Sequence, residues 1–342
     1  MSTSAKVTAR QRIENLLDDN SFVEIGAYVK ARNTDFNIQA KDTPSDGVIT
    51  GYGVINGGLV YVYSQDASVL GGSVGEMHAK KIASLYDMAM KTGSPVIGLI
   101  DSTGLRLQES VDGLNAFGQI YMKQSLASGV IPTITAIFGN CGGGLSIVAG
   151  LSDFTFMEVE NAQLFVNSPN AITENRKEIC DNASAKFQSE EAGNVDFVGT
   201  EAEVIEGIRN LVSVLPSNNE DEASDLECYD DLNRAAEGIE NCGEDTLLAL
   251  ENISDDGFII EAKRNYAPEM VTAFIKLNGA TVGAVANRTK VYDDDMNVTA
   301  EFDAKLTAKG CNKVLQQQVV KKQQHLLRNV MHLIFLFLHL QT

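Results

Sequence analysis

One segment near the middle of the chain has the pattern of a buried β-strand that passes through a glycine turn directly into a helix. The strand pattern is the apolar, β-branched run Ile131–Phe138, the turn is Gly139–Gly144, and the helix pattern begins at Leu145. Such a turn leaves backbone N–H groups free at a helix N-terminus, where the helix dipole also favours negative charge. Consecutive glycines let a ligand oxygen approach the main chain without meeting a Cβ atom. The segment predicts an oxyanion site, although a purely structural turn has the same pattern.

Two more glycine turns follow predicted strands. The apolar run Leu59–Tyr63 precedes the turn Leu70–Gly75, and the apolar run Val96–Ile100 leads into the loop Asp101–Glu109. Helix patterns follow both loops, so strands and helices alternate along the chain. This alternation predicts crossover connections and a layered α/β core. The three glycine loops are expected at one edge of that core.

The composition is that of an ordinary globular protein of the cytoplasm. The 342 residues are 44% hydrophobic and 7% aromatic, which suffices for two domain cores or one large core. The formal net charge of −19 argues against nucleic acid or an anionic membrane surface as the main partner. The five cysteines are odd in number and lack C-x-x-C spacing, so we expect neither a disulfide framework nor a zinc site, and no metal.

An acidic, asparagine-rich stretch over residues 216–245 predicts a domain boundary, with a first domain over 1–245. After this boundary the hairpin pattern of residues 49–63 returns at 271–285, with a constant offset of 222 residues. The offset indicates an internal duplication, although a shared hairpin turn can produce the same pattern in unrelated strands. The second copy, 246–313, is expected to be incomplete.

The final segment, 314–342, has a different character from the rest. It is rich in glutamine and contains three of the four histidines, His325, His332 and His339, without an acidic or cysteine residue to complete a metal site. Its apolar run of about ten residues is too short to cross a bilayer. With synonymous codons and one added G, residues 331–342 can be read in the neighbouring frame as DAFNIPVLTLTN, which is a more ordinary buried strand. We therefore hypothesise a frameshifted tail.

Taken together, the ordered motifs resemble the carboxyltransferase subunits of biotin-dependent acyl-CoA carboxylases and decarboxylases, of the propionyl-CoA carboxylase beta type. The resemblance runs from Thr8 to about Lys313. The motifs that carry it are Thr8–Ile13, Tyr63–Asp66, Leu70–Ser73 with His78–Lys81, Asp101–Glu109, Ser128–Pro132, Gly142–Gly144 and Asp153–Met157. It implies a crotonase-like (ClpP/crotonase) α/β fold, in which a β-β-α superhelix domain is followed by the beginning of a second copy.

The resemblance also implies a reaction. The family transfers a carboxyl group between N1′ of biotin and the α-carbon of an acyl-CoA thioester of the propionyl, acetyl or methylmalonyl type. Both partners pass through enolate-like anions, so the chemistry needs backbone N–H donors more than side-chain acids and bases. Carried over to this chain, Gly142 and Gly143 are expected to form the oxyanion hole on the biotin side. The second hole belongs to the family's second domain.

Five further residues are expected to bind the acyl-CoA substrate: Gly71, Gly72, Ser73, Gly104 and Arg106. Structural roles remain open for them, since the first three can serve as a helix-entry turn. Arg106 can equally pair with a carboxylate one helical turn away.

Other residues near these motifs have weaker indications. Lys80 and Lys81 can meet CoA phosphates or can solvate a helix face. Cys141 is a possible nucleophile without an obvious base. Thr103 and Leu105 stand where relatives often carry glycine and alanine, which leaves the shape of the loop and the acyl-chain preference open.

The resemblance implies biotin as the cofactor, carried as carboxybiotin on a partner protein or domain. The implied partners are a biotin carboxyl carrier protein, a biotin carboxylase or decarboxylase complex, and further copies of this chain in a homo-oligomer; a membrane would be reached only through a decarboxylase complex. Two alternatives stay open. A crotonase-type hydratase or isomerase needs a positioned carboxylate, for which Glu109 is the candidate, and a catalytically incomplete chain can act as an acyl-CoA-binding fragment.

Overall fold

The computed structural model describes residues 7–32, 42–168, 181–221, 228–231, 233–236, 239, 242, 244–292, 298–301, 313–332 and 336–340. The chain forms two compact units, of which the first comprises Met1–Gln188 and Phe197–Ser213, and the second Ser189–Asp196 and Val214–Thr342. The predicted boundary at residue 245 lies inside the second unit. The division into family domains over 1–245 and 246–313 therefore stays a prediction.

The first unit is built on a single mixed sheet. Its strands are β1 (Val23–Ile25), β2 (Val48–Ile55), β3 (Gly58–Gln65), β4 (Val96–Ser102), β5 (Thr133–Gly142), β6 (Phe154–Glu158), β7 (Gln163–Phe165) and β8 (Phe197–Gly199). The helices are α1 (Ala9–Leu16), α2 (Glu76–Thr92), α3 (Ser110–Ala127), α4 (Gly144–Leu151) and α5 (Glu201–Val214), which closes the unit. The strand order is β1-β2-β3-β4-β5-β6-β8, and β7 pairs with β5.

Strand directions decide where the loops emerge. β1, β2 and β3 pair antiparallel, whereas β3, β4, β5 and β6 pair parallel to one another. The carboxyl ends of β3, β4 and β5 therefore meet at one edge of the sheet, which is where open α/β sheets place their binding loops. The predicted convergence of the three glycine loops is confirmed.

Helix ends follow the local sequence signals. The Thr8 hydroxyl accepts the N–H of Gln11, and the Gln11 side chain accepts the N–H of Thr8, which is a capping box at the start of α1. α2 ends at Gly93, which adopts the left-handed conformation with φ 62°. Both helix ends are therefore set by residues next to them in the sequence.

The second unit repeats the beginning of the first. Its strands are β9 (Ile259–Glu261), β10 (Met270–Leu277), β11 (Ala280–Asn287), β12 (Lys290–Tyr292), β13 (Val298–Glu301) and β14 (Leu336–Leu340), and its helices are α6 (Thr246–Ile253) and α7 (Lys313–His332). The sheet order β9-β10-β11-β14 matches β1-β2-β3-β4, including the parallel pairing of its last two strands. β10 and β11 begin 222 residues after β2 and β3, so the predicted duplication is confirmed.

The segment predicted as a frameshifted tail takes part in this repeat. α7 and β14 occupy the places that α2 and β4 hold in the first unit. α7 packs beside a core of small and β-branched side chains on β10 and β11, and it buries Lys322 completely. The Lys322 ammonium donates to the carbonyl of Met270 at 2.5 Å, and burial lowers its pKa to about 7. The frameshift itself remains a hypothesis about the gene.

Replacing Lys322 by methionine is expected to stabilise the chain at pH 7 by at least about 1 kcal/mol, because the unfolded lysine is fully solvated and the folded one is not. The folded pKa near 7 lies below the ordinary 10.5, so the unfolded state binds more protons between these values. The free energy of unfolding of the wild type should therefore rise more steeply with pH from 7 to 10 than that of Lys322→Met. Urea unfolding at both pH values measures this difference. The exposed Lys91→Met is the control, and equal slopes in wild type and Lys322→Met would refute the prediction.

Candidate functional site

The loops after β3 and β4 are joined by their own backbones. Val74 and Leu105 form an isolated parallel bridge between the two loops. The hydrogen bonds that join them run from Thr103 N–H to the Gly71 carbonyl (2.9 Å), from Ser102 Oγ to the Gly72 carbonyl (2.6 Å), from Val74 N–H to the Gly104 carbonyl (2.8 Å) and from Arg106 N–H to the Val74 carbonyl (2.9 Å). The structure thus brings together Gly71, Gly72 and Gly104, as the sequence predicts.

Close backbone approach explains two of the glycines. Gly72 adopts φ +64°, and a Cβ atom there would lie 2.4 Å from the carbonyl oxygen of Asp101. A Cβ atom on Gly104 would lie 3.2 Å from the carbonyl oxygen of Gly142, so the second loop abuts the third. These glycines pack the three loops into one platform. Contact of Gly71, Gly72 and Gly104 with acyl-CoA stays a prediction.

The buried side chain of Arg106 connects these loops through hydrogen bonds and ion pairs. Its side chain is only 4% exposed, and Nη1 donates to Asp46 Oδ1 at 2.6 Å and to Glu109 Oε1 at 2.9 Å. Nη2 donates to the carbonyl of Ser73 at 2.7 Å, while Nε faces the Ser73 hydroxyl at 3.3 Å. We call Asp46, Ser73, Arg106 and Glu109 the Arg106 clamp. Both side chains are buried and bonded to protein groups, and contact of Arg106 and Ser73 with acyl-CoA stays a prediction.

The clamp extends to a buried histidine. Asp46 Oδ2 accepts the backbone N–H of His78 at 2.7 Å, and the Asp46 carbonyl lies 3.0 Å from His78 Nδ1. Gln65 Nε2 lies 3.1 Å from the other ring nitrogen. Burial, reinforced by the positive charge of Arg106, lowers the pKa of His78 to about 3. The ring is therefore neutral at ordinary pH and serves as a spacer rather than as an acid or base.

Glu109 does not suit the hydratase alternative. Its carboxylate is buried, with Oε1 bound to Arg106 and Oε2 accepting the N–H of Glu76 at the start of α2 at 2.5 Å. A general base must reach a substrate proton, and both oxygens of this carboxylate already have protein partners.

One N–H group of the third turn that is predicted as a donor to biotin has a partner within the protein. Gly143 has φ +60° and ψ −124°, and its N–H donates to the carbonyl of Phe165 on β7 at 3.0 Å. Gly142 is packed against the same residue, since a Cβ atom there would lie 2.6 Å from the Phe165 ring. The N–H of Gly143 is therefore bonded within the protein in this structure, and the donor role expected of Gly142 and Gly143 stays a prediction. Gly144 and Leu145 open α4, and no earlier helical turn accepts their N–H groups.

The structure also shows the surroundings of Cys141, Lys80 and Lys81. Cys141 is fully buried, and burial raises the pKa of its thiol to about 12, which rules out a thiolate nucleophile at neutral pH. Lys81 is buried and donates to the carbonyls of Ser45 and Val48, so it cannot meet a phosphate. Lys80 is exposed and pairs with a carboxylate one helical turn earlier. It stays available.

Several residues of the site carry no sequence signal of their own. Asp46 acts through a partner sixty positions away, Phe165 acts through its backbone carbonyl, and Tyr121 reaches the third turn from α3. Asp46-Gly47 is a turn dipeptide, but nothing in that signal indicates an arginine partner.

Comparison with known proteins identifies the family. The carboxyl transferase domain family matches residues 2–328. The chain is 40% identical over 299 residues to methylmalonyl-CoA decarboxylase subunit alpha of Propionigenium modestum, with 84% of this chain and 58% of the relative covered. It is 36% identical over 318 residues to the propionyl-CoA carboxylase beta chain of Roseobacter denitrificans, with 90% and 62% covered. The chain belongs to the carboxyl transferase domain family, and the predicted resemblance is confirmed.

A solved structure supports the same conclusion. Transcarboxylase 12S, with methylmalonyl-coenzyme A and methylmalonic acid bound, superposes with a TM-score of 0.85 at 31% identity over 97% of this chain and 63% of that chain. The predicted crotonase-like α/β fold is confirmed. The chain thus spans about three fifths of the length of these relatives. The family match ends at residue 328, inside α7, so it continues past the predicted start of the tail at 314.

Among the described residues, no helix combines the length and apolar character needed to cross a membrane.

Exchange of Arg106 for methionine is expected to destabilise the chain by about 3–5 kcal/mol, because the carboxylates of Asp46 and Glu109 lose their buried counterion. The stability of Arg106→Lys should lie between that of the wild type and that of Arg106→Met, since an ammonium keeps the charge but cannot make the forked contacts. Urea unfolding measures both. Arg10→Met removes an exposed partner of Glu24 and should change stability by less than about 1 kcal/mol. A loss for Arg106→Met no larger than that of the control would contradict the clamp.

Proposed function

We propose that this chain takes part in carboxyl transfer between biotin on a partner protein and the α-carbon of an acyl-CoA thioester. The observation that carries the proposal is the N-terminus of α4, which lies at the carboxyl edge of a crotonase-like sheet beside the two joined glycine loops. Charge develops on an oxygen in both half-reactions of the family, and fixed N–H donors at such a turn stabilise that charge.

The third turn is uncovered at Gly143. Nothing lies within 4 Å of the position that a Cβ atom on Gly143 would occupy, so the surface of the turn is open there. We propose that the N–H groups of Gly144 and Leu145 bind the ureido oxygen, which replaces the predicted pair Gly142 and Gly143. Biotin, when bound, supplies the nitrogen that carries the carboxyl group. The chain's own contribution is to hold the oxygen, to keep the turn rigid and to present the neighbouring loops.

The relatives support the rest of the proposal. Their names include a methylmalonyl-CoA decarboxylase and a propionyl-CoA carboxylase, and the transcarboxylase 12S structure is described as a hexamer. We infer an acyl-CoA substrate, a biotin carrier with its carboxylase or decarboxylase, a homo-oligomer and a cytoplasmic location. The second oxyanion hole belongs to the whole-length protein of the family.

An acyl-CoA-binding fragment is the second candidate, because the backbone-joined loops after β3 and β4, where the thioester contacts are predicted, do not by themselves require carboxyl transfer. The measurement that separates the two is the release of carbon dioxide from methylmalonyl-CoA or malonyl-CoA with and without free biotin. Biotin-dependent release supports carboxyl transfer. Thioester binding without release favours the fragment, and absence of both overturns the proposal.

Gly143→Ala is expected to reduce the biotin-dependent reaction about 100-fold, because a methyl group would stand over the open turn and disturb donor geometry. The variant also carries backbone strain, so its control must carry strain too. Gly57→Ala has a similarly positive φ, +86°, and open space around its Cβ position, but it lies in the β2–β3 hairpin. We expect Gly57→Ala to keep full activity at a similar loss of stability. Equal activities of the two variants would argue against the turn as the site.

We also propose that, within the tail predicted over 314–342, the residues after the end of the family match at 328 are read in a shifted frame. The support is the alternative reading of residues 331–342 as DAFNIPVLTLTN, which has the pattern of an ordinary buried strand. Sequencing the gene from about codon 300 onward tests this. A neighbouring frame that encodes a second glycine-rich turn supports the proposal, and codons that exclude the alternative reading refute it.

A further inference from the structure

Two side-chain hydroxyl groups each donate a hydrogen bond to a backbone carbonyl of the third turn. Ser146 Oγ donates to the carbonyl of Gly143 at 2.7 Å, and the Tyr121 phenol donates to the carbonyl of Gly144 at 2.7 Å. The Gly143 carbonyl belongs to the same peptide group as the Gly144 N–H. The Gly144 carbonyl belongs to the same peptide group as the Leu145 N–H. Each proposed donor therefore has a hydroxyl bound to the other end of its own amide.

From this arrangement we infer that Tyr121 and Ser146 are positioning residues, which orient and polarise the two peptide groups that bind the biotin ureido oxygen. The inference rests on the proposed function. A hydrogen bond to a carbonyl polarises the amide and strengthens its N–H as a donor, by about a tenth to a third in chains of such bonds. It also fixes the tilt of the peptide plane, which decides where the N–H points.

Packing on the turn makes the Tyr121 contact rigid. A Cβ atom on Gly144 would lie 2.6 Å from the Tyr121 oxygen and 3.0 Å from the Phe117 ring, so the α3 side chains rest directly on the backbone of the turn. The two rings also contact each other, with centroids 5.9 Å apart. Burial raises the pKa of the Tyr121 phenol, so the hydroxyl keeps its proton at neutral pH.

Ser146 has a close counterpart elsewhere in the first unit. Ser213 Oγ donates to the carbonyl of Asn210 at 2.7 Å, which is the same bond to the carbonyl three residues earlier, but it lies on α5. Ser213→Ala therefore reproduces the loss of a hydroxyl that is bonded to the carbonyl three residues earlier, without touching the turn. Ser146→Thr keeps a hydroxyl that can make the same bond.

The test compares the full chain with its Tyr121→Phe, Ser146→Ala, Ser146→Thr and Ser213→Ala variants by titration with free biotin. We expect biotin affinity to fall about 3- to 10-fold in Tyr121→Phe and in Ser146→Ala, as loss of one hydrogen bond to each donor amide predicts. Ser146→Thr and Ser213→Ala should bind like the wild type. Thermal unfolding is measured for each variant. If one variant fails to fold, the inference is judged on the variants that do fold.

A spectroscopic measurement separates positioning from general stability. Glycine labelled with both ¹³C in the carbonyl and ¹⁵N gives directly bonded carbonyl–nitrogen signals from four Gly–Gly peptides, which include Gly143–Gly144. Ser146→Ala should shift this signal in free protein, whereas Ser213→Ala should leave it in place.

Unchanged biotin affinity in both Tyr121→Phe and Ser146→Ala, with a wild type that binds, overturns the inference and leaves the proposed function standing. A wild type that binds no biotin at all, by contrast, overturns the proposed function and the inference with it.

Discussion

The Arg106 clamp is the interaction on which the geometry of the site depends. A guanidinium that is 4% exposed has lost most of its hydration, so it needs carboxylates and carbonyls around it, and the loops that supply them become fixed to one another. Asp46 comes from the turn before β2, Ser73 from the loop after β3, and Glu109 from the loop after β4. One buried cation thus sets the relative positions of three segments that are distant in sequence.

The clamp also explains why the glycines and the polar residues of these loops have different roles. The glycines allow backbones to approach within contact distance, as Gly72 does at Asp101 and Gly104 at Gly142. The charged residues then hold those backbones in place. Both ring nitrogens of His78 face protein groups, and both oxygens of Glu109 have protein partners. The chemistry proposed for this site, the binding of an anionic oxygen by backbone amides, relies on neither residue.

Features of the fold that depend on a few neighbouring residues can be predicted from the sequence. The capping box of α1, the Gly93 end of α2 and the repeat at an offset of 222 residues all depend on short-range patterns, and the structure contains each of them. Two contacts at the site have no such local signal. The N–H of Gly143 is taken by a carbonyl on β7, and Arg106 finds a partner sixty positions upstream. Strand pairing and buried ion pairs bring such groups together, and no pattern in the neighbouring residues indicates either contact.

A crystal structure of the chain with biotin bound tests the central claim most directly. Our account predicts that the ureido oxygen lies within hydrogen-bonding distance of the N–H groups of Gly144 and Leu145, over the open side of Gly143. Biotin bound away from the third turn, or bound there with its ureido oxygen directed at other groups, would contradict the account.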